Sequence, residues 1–205
     1  MQVLVVQASP RLEESATRSM TRDLVSKLMV LNPTAKVTLR DLALEPLPHL
    51  SQHEITSAFT PPEHRTSELQ KAIRLSDQLV DELLAADIII LSTPMWNFSI
   101  PSSLKAWIDH IVRVGRTFSY SASGPQGLVT DKPVFLVTAS GSVYSTDFMR
   151  PYNFLEPYLR TVLGFIGIRT VHLITAEGLS DPGTALAEPP TLKLSDLRAI
   201  LNNTK

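Results

Sequence analysis

Short apolar runs alternate with longer amphipathic segments along the chain. The runs are rich in Val, Ile and Leu and fall at residues 3–7, 35–39, 87–91, 133–138 and 170–174. Several of them are apolar without polar alternation, as expected of strands that are covered on both faces. Strands that alternate with helices predict a parallel sheet with helices on either side. We therefore expect one α/β domain over residues 1–205, with five strands and five helices.

The helical segments carry apolar residues that repeat about every 3.6 positions. The pattern predicts helices from about Ser15 or Thr17 to Met29, over residues 67–85, after Pro101, over residues 152–165 and after Pro189-Pro190. Proline suits the start of a helix because the N–H groups of the first turn have no helical acceptor.

Two segments interrupt this alternation. Residues 44–64 contain four prolines, which predicts a long irregular connection. Residues 116–130 predict a hairpin that turns over Gly124-Pro125-Gln126-Gly127. Segments of this length in a compact domain often contact a ligand or a second subunit.

Composition narrows the possible function classes. The 19 basic and 20 acidic side chains give a formal net charge of −1, unlike the strong positive charge of nucleic-acid-binding proteins. The absence of cysteine excludes disulfides, thiolate nucleophiles and cysteine-ligated metal or iron–sulfur centres. No apolar run reaches the roughly 18–20 residues of a membrane span, and the first residues carry no signal-peptide pattern. We expect a cytoplasmic protein with no nucleic-acid or membrane partner.

Glycine is absent from the first 114 residues, since all eight glycines lie at or after Gly115. A GxGxxG or GxxxxGK[ST] phosphate loop after the first strand is therefore impossible. A nucleotide bound there has to be held by a loop without glycine. His49 and His53 are four residues apart, but they lie in the proline-broken segment without a third ligand, so we expect no metal site.

Ligands of an open parallel sheet bind beyond the carboxyl ends of the strands. The first such loop carries hydroxyls at Ser9, Ser15 and Thr17, just ahead of the first helix. Hydroxyls and free N–H groups at a helix N-terminus suit a phosphate, and Arg11 or Arg18 is a candidate for an additional charged contact. An ordinary N-cap serine without a ligand is the alternative.

The second loop follows the third apolar run and reads Pro94-Met95-Trp96-Asn97-Phe98. Its apolar side chains suit a flat aromatic ring, while Asn97 and the loop amides can form hydrogen bonds to the rim of a heterocycle. The alternative is that the aromatic residues only cover the core.

The third loop contains Ala139, Ser140, Gly141 and Ser142, which are small enough for backbone amides to approach a ring edge. It does not match G-x-S-x-G and has no evident His or acidic partner, which argues against a serine hydrolase. A tight turn without a ligand is the alternative. Together the three loops predict a pocket for a phosphate and a flat ring, which matches FMN.

Over nearly its whole length the chain resembles the FMN-dependent NADH:quinone oxidoreductases known as azoreductases. The resemblance is carried by Ser9 with Ser15-x-Thr17, Pro94-Met95-Trp96-Asn97-Phe98, Phe118-x-Tyr120 with Gly124-Pro125-x-Gly127-Leu128, Leu163-Gly164-Phe165-Ile166-Gly167-Ile168, and Ala176-Glu177-Gly178. It implies a flavodoxin-like α/β/α sandwich of three layers, with a five-stranded parallel sheet in the order 2-1-3-4-5.

The resemblance also implies residue roles. Ser9, Ser15, Ala16 and Thr17 would hold the phosphate, Pro94, Met95, Trp96, Asn97 and Phe98 would line the isoalloxazine, and Ala139, Ser140, Gly141 and Ser142 would meet its pyrimidine end. Tyr120 matches a family position over the flavin and, with Asn97, is a candidate catalytic residue. The third loop departs from the S-R-G-G common in the family, and Val162 stands where an aromatic residue can line the substrate pocket. These departures leave the substrate preference open.

The function implied by the resemblance is a two-electron ping-pong reaction. NADH or NADPH would give a hydride to N5 of one FMN per subunit, and a quinone, an azo dye or a nitroaromatic would then take both electrons. The family also implies a homodimer with its active sites at the interface. A flavodoxin-type electron carrier is the alternative, although a net charge of −1 does not favour the acidic docking surface of such carriers. A phosphoacceptor receiver domain would need acidic residues where the chain has Gln7-Ala8-Ser9.

Overall fold

The computed structural model describes residues 1–180 and 190–202. Its main sheet is parallel and contains β1 (Gln2–Gln7), β2 (Lys36–Asp41), β3 (Ile88–Pro94), β6 (Val134–Ala139) and β7 (Val171–Ala176). A separate antiparallel pair consists of β4 (Phe118–Ser121) and β5 (Gly124–Gly127). The order in the main sheet is β2-β1-β3-β6-β7, which is the predicted 2-1-3-4-5 once the hairpin is left out. The predicted fold class is confirmed.

Helices cover both faces of the sheet. Within the described ranges they are α1 (Ala16–Leu31), α2 (Gln52–Phe59), α3 (Ser67–Ala85), α4 (Ser102–Ile111), α5 (Leu155–Ile166) and α6 (Leu194–Asn202). Buried residues of α1 and α6 form one apolar cluster with the sheet, and those of α3, α4 and α5 form another. Successive residues of β1 enter opposite clusters, Val3 and Val5 in the first and Leu4 and Val6 in the second. This two-sided burial explains why the strands are apolar without alternation.

The irregular connection predicted for residues 44–64 is partly wrong, because α2 and a 3₁₀ turn at Pro62–His64 lie within it. The Ser51 hydroxyl accepts a hydrogen bond from the N–H of Glu54, while the Glu54 carboxylate accepts one from the N–H of Ser51. This reciprocal capping box stabilises the start of the helix. The signal is present in the sequence as Ser51-x-x-Glu54, and the nearby prolines obscured it.

The helix predicted for residues 152–165 begins at Leu155. The side chain of Asn153 accepts hydrogen bonds from the N–H groups of Leu155 and Glu156, at 3.2 and 3.3 Å, and so sets the start of α5. The last predicted helix is present as α6, but Pro189, expected just before it, lies outside the described residues. Within residues 1–180 and 190–202, no helix combines the length and apolarity of a membrane-crossing segment.

The predicted hairpin is present as β4 and β5, but its turn is at residues 122–123; the expected turn over Gly124-Pro125-Gln126-Gly127 is wrong, because these residues form β5 and pair with β4. Its last residue, Gly127, lies so close to the backbone of Ile166 and Gly167 that a Cβ atom at this position would clash with main-chain atoms. The N–H of Val129 then donates to the Ile166 carbonyl at 2.9 Å. The hairpin is therefore anchored at the C-terminal end of α5.

A buried lysine completes the C-terminal end of α3. Lys132 Nζ donates hydrogen bonds to the carbonyl oxygens of Leu83, Leu84 and Ala86, which uses all three of its donors. Burial lowers the pKa of this ammonium group. A cation at this position satisfies carbonyl groups that the helix itself leaves without a donor.

We expect Lys132→Met to lower the free energy of unfolding by about 2 kcal/mol, because it leaves three carbonyl groups without their charged donor. Urea denaturation followed by far-UV circular dichroism measures this change. Lys71→Met is the control, because Lys71 lies on the exposed side of α3. Its free energy of unfolding should stay within about 0.5 kcal/mol of that of the native protein. Equal stability of the two variants would contradict the role assigned to Lys132.

Candidate functional site

The loops that follow β1, β3 and β6 meet at one edge of the sheet. Gln7 pairs with Ser92, and Pro94 pairs with Ala139, so the three strands end side by side. A cavity of about 630 Å³ lies at this edge, and we call it the large cavity. It collects ten of the residues expected to bind the cofactor: Ser9, Ser15, Ala16, Thr17, Pro94, Met95, Trp96, Ala139, Ser140 and Gly141.

The first loop brings three hydroxyl groups together. Ser15 Oγ donates to Ser9 Oγ at 2.9 Å and lies 3.2 Å from Thr17 Oγ1. Ser9 and Thr17 are 2% and 1% exposed, so their hydroxyls are fixed by packing. Ser15 is also the N-cap of α1, and the N–H groups of Ala16 and Thr17 find no acceptor in the described part of the chain. Hydroxyls, free N–H groups and the positive end of a helix dipole at one point form a suitable site for a phosphate.

Arg18 shapes this loop and is not part of the cavity wall. Its guanidinium donates to both carboxylate oxygens of Asp41 and to the carbonyl oxygens of Ser9 and Arg11, the latter two at 2.8 Å. The hydrogen bond from Arg18 holds the pKa of Asp41 below its ordinary value. Of the two arginines expected near a phosphate, only Arg11 lines the cavity.

A second arginine that sequence reasoning missed also lines the large cavity. Arg22 lies on α1 and is exposed, and it forms no ion pair within the described residues. Ser15, Ser19 and Arg22 are spaced by four and three residues, which places them on one face of the helix. That spacing is the signal that could have identified Ser19 and Arg22 from the sequence.

The second loop forms a strained turn. The N–H of Trp96 donates to the Ser99 carbonyl at 2.8 Å, and the N–H of Ser99 donates back at 3.1 Å. Between them, Asn97 and Phe98 have φ angles of +47° and +69°, the pattern of a type I′ turn. Asn tolerates this region, whereas for Phe it costs about 1–2 kcal/mol. Trp96 and Phe98 remain about half exposed, so they do not serve only to cover the core.

The third loop is held by the segment that follows β7. The N–H groups of Leu179 and Ser180 donate to the carbonyl oxygens of Ser140 and Gly141, at 3.1 and 3.0 Å. A Cβ atom on Gly141 would lie 2.5 Å from Ser180 Oγ, so a larger residue at this position would require the Ser180 side chain to move. Leu179 and Ser180 also line the large cavity, and no sequence pattern predicts them there. Ser142 is exposed and is not part of the wall.

A small cavity of about 210 Å³ adjoins the large one and shares Met95, Ser140 and Gly141 with it. Asn97, Phe98 and Tyr144 form its remaining wall. The Phe98 ring meets Tyr144 edge-on at 6.5 Å between centroids and lies 6.0 Å from Tyr152. Asn97 and Phe98, both expected to bind the cofactor, are therefore next to the loop that contains Ser140.

The structure does not bring Tyr120 to this edge of the sheet. Tyr120 lies on the hairpin, where it packs against Phe118, which in turn contacts Phe165 near the end of α5. It is absent from the walls of both cavities and is 68% exposed. Val162 packs against the core instead of lining either cavity. Within one chain, neither residue can contact a ligand in these cavities.

The residues that are present fit FMN. The hydroxyl cluster with unpaired N–H groups suits the phosphate, and Arg11 and Arg22 lie close by. The Met95–Phe98 turn offers apolar and aromatic surface for a flat ring, and the small residues of the third loop allow main-chain contact with its edge. Within residues 1–180 and 190–202, no cluster of three or more His, Asp or Glu side chains could hold a metal ion.

Comparison with known proteins supports this assignment. A family model described as flavodoxin-like fold matches residues 1–194. The FMN-dependent NADH:quinone oxidoreductase of Beijerinckia indica subsp. indica is 47% identical over 181 residues, which cover 88% of this chain and 90% of that protein. The protein of the same name from Nostoc punctiforme is 43% identical over 202 residues, covering 98% of this chain and 96% of that protein.

A solved structure extends the similarity to three dimensions. The azoreductase from Bacillus anthracis str. Sterne has a TM-score of 0.82 and 27% identity, and the match covers 100% of this chain and 96% of that one. The fold and the identity to curated relatives indicate the same family. The chain belongs to the flavodoxin-like family of FMN-dependent NADH:quinone oxidoreductases.

Proposed function

We propose that this protein uses FMN to transfer electrons from NADH or NADPH to quinones and azo compounds. The observation that carries the proposal is that one edge of the sheet combines a phosphate site with an aromatic turn. Two relatives that match most of the chain carry names that specify FMN, NADH and quinone, and a structural neighbour is named as an azoreductase.

The proposed cofactor contacts follow from the geometry of the loops. Ser9, Ser15 and Thr17 with the first N–H groups of α1 hold the phosphate, and Arg11 and Arg22 neutralise its charge. The turn from Met95 to Phe98 supports the face of the ring. Main-chain N–H groups of the third loop and the Asn97 amide donate to its polar rim.

When bound, FMN supplies the hydride acceptor, N5 of the ring, and the protein supplies binding, orientation and electrostatics. Trp96 and Phe98 are about half exposed, so a flat molecule can stack at this turn. The nicotinamide and the electron acceptor would bind at this one position, one after the other. The first product must then leave before the second substrate binds, which is a ping-pong order. Donors at the polar rim stabilise the negative charge that arrives with the hydride.

We further propose that the protein acts as a homodimer with its active sites at the interface. Tyr120, Phe148 and Phe154 are more than half exposed, and such aromatic surface is typical of a contact with a second subunit. The hairpin places Tyr120 outside the cavities of its own chain. In a dimer, Tyr120 of one subunit would instead cover the flavin of the other subunit. Residues 1–205 would form a single domain in each subunit, in the cytoplasm, where NADH is available.

A flavodoxin-type electron carrier is not favoured. The curated relatives that match most of the chain are named as oxidoreductases, and the net charge of −1 offers little electrostatic attraction for a docking protein. Nitroaromatics are a further proposed acceptor class, since a flat stacking site accepts many flat molecules.

The purified protein should be yellow or become yellow on addition of FMN, and should oxidise NADH faster when a quinone is present. Flavin absorbance and the loss of NADH absorbance measure the two properties. NADPH, an azo dye and a nitroaromatic in parallel assays define the donor and acceptor range. A protein that takes up no FMN and oxidises neither nicotinamide would refute the proposed function.

Thr17→Val should raise the Kd for FMN by roughly 10-fold or more, because the isosteric change removes one hydrogen-bond donor to a charged phosphate. Titration by quenching of flavin fluorescence measures the effect. Riboflavin has the same ring without the phosphate, so its Kd should not change.

Thr21→Val is the matched control. Thr21 lies one turn further along α1, is buried, has an unpaired hydroxyl and does not line the large cavity. Its replacement should leave FMN affinity unchanged. A Thr17→Val protein that binds FMN as tightly as the native one would argue against the phosphate site.

The mass in solution should be about twice the 22.6 kDa of one chain. Sedimentation velocity at the protein concentration used for the assay measures it. A monomer with full quinone reductase activity would contradict the proposed interface site.

A further inference from the structure

Tyr144 is a nearly buried side chain in the wall of the small cavity. It follows the third loop, is 8% exposed and lines the small cavity together with Asn97. It also lines a second cavity of about 210 Å³, whose wall includes Ser140, Thr175 and Glu177. Tyr144 is therefore part of the wall of two neighbouring cavities.

The hydroxyl group of Tyr144 forms no hydrogen bond with a described residue, and its oxygen is not among the buried polar atoms that lack a partner, so it is accessible from the cavities that Tyr144 lines. An accessible phenol hydroxyl is hydrogen-bonded to water until a ligand with a suitable acceptor replaces that water. The ring itself is well supported, since it packs edge-on against Phe98. The free hydroxyl on a fixed ring is the kind of group that a ligand completes.

The main chain of Tyr144 is held by a carboxylate from the end of β7. Glu177 Oε1 accepts a hydrogen bond from the N–H of Tyr144 at 3.0 Å, and Oε2 accepts one from the N–H of Ser145 at 3.2 Å. Two bonds from one carboxylate to consecutive N–H groups fix the direction in which the chain leaves the third loop. This contact restricts where the Tyr144 side chain can point.

We propose that the Tyr144 hydroxyl donates a hydrogen bond to the polar rim of the FMN ring, and that Glu177 is the residue that positions it. The inference rests on the proposed function, since it assigns a donor within the same site. Ser140 and Gly141 line the small cavity beside Tyr144, so the donor lies at the end of the ring that meets the third loop.

A donor at this rim has a specific chemical effect. A hydride carries two electrons and one proton, so its transfer from NADH leaves NAD⁺ and adds one negative charge to the acceptor ring. A hydrogen bond to the rim stabilises that charge more than it stabilises the neutral ring. Tyr144 therefore favours the reduced form and raises the midpoint potential.

Tyr144→Phe tests the proposal, because it removes the hydroxyl and keeps the ring against Phe98. We expect the Kd of oxidised FMN to rise about 3- to 10-fold, the Kd of riboflavin to rise by the same factor, and the midpoint potential to become more negative. The melting temperature of the protein without FMN should not fall, because the hydroxyl has no partner there. Tyr158→Phe, on α5 and outside both ligand-facing cavities, is the control and should change none of these values.

Glu177→Gln tests the positioning role. The amide keeps one acceptor for the two N–H groups and loses the other, so we expect the Kd and the potential to shift in the same direction as in Tyr144→Phe. In a double-mutant cycle, the shift in potential of the combined variant should be smaller than the sum of the two single shifts. Additive shifts would refute the positioning role, since they mean that Glu177 does not act through Tyr144.

The outcomes separate this inference from the proposed function. If the native protein binds no FMN, the proposed function fails. If the native protein binds FMN and Tyr144→Phe has the same Kd and midpoint potential, only the role of Tyr144 is refuted.

Discussion

The shape of the loop after β1, which contains no glycine, is held by hydrogen bonds from the Arg18 side chain. One guanidinium holds two carbonyl oxygens of the loop and both oxygens of Asp41 at the end of β2. The bidentate contact with Asp41 is the strong form of a charged hydrogen bond. With the main chain fixed in this way, the hydroxyls of Ser9, Ser15 and Thr17 come together at the start of α1. The proposed phosphate site depends on this one side chain, which does not itself line the cavity.

The ring site depends on a different constraint, the conformation of Asn97 and Phe98. A phenylalanine with φ of +69° is costly, so the turn persists only because its surroundings hold it. The paired hydrogen bonds between Trp96 and Ser99, and the bond from the Phe154 N–H to the Phe98 carbonyl, provide that support. In this conformation the turn exposes the Trp96 and Phe98 side chains beside the cavities. Local strain of this kind is often found where a protein binds a ligand.

The fold could be predicted from the sequence because each strand and helix has its own local pattern of apolar residues, and these patterns alternate along the chain. Five apolar runs and the helical periods between them predicted the sheet, and the parallel arrangement then brought the three loops to one edge. Helix α2 was missed although Ser51 and Glu54 form its capping box, because four prolines in the segment suggested an irregular connection. The start of α5 was also misplaced, since it is set by the Asn153 side chain.

Within the site, the residue types that carry chemistry were predictable, but their partners were not. The sequence predicts Arg11 or Arg18 as a phosphate contact, and only the structure separates the arginine that pairs with Asp41 from the one that lines the cavity. Leu179 and Ser180 enter the site through backbone hydrogen bonds to the third loop, which leave no side-chain pattern in the sequence. The sequence pattern does not single out Tyr144, whose burial and place in the cavity wall are evident only in the structure.

A crystal structure of the protein with FMN tests the central claim most directly. The account predicts the phosphate within hydrogen-bond distance of Ser9, Ser15 and Thr17, with the ring between the Met95–Phe98 turn and the third loop. Density for the phosphate at another part of the surface, or for the ring outside these two loops, would contradict it.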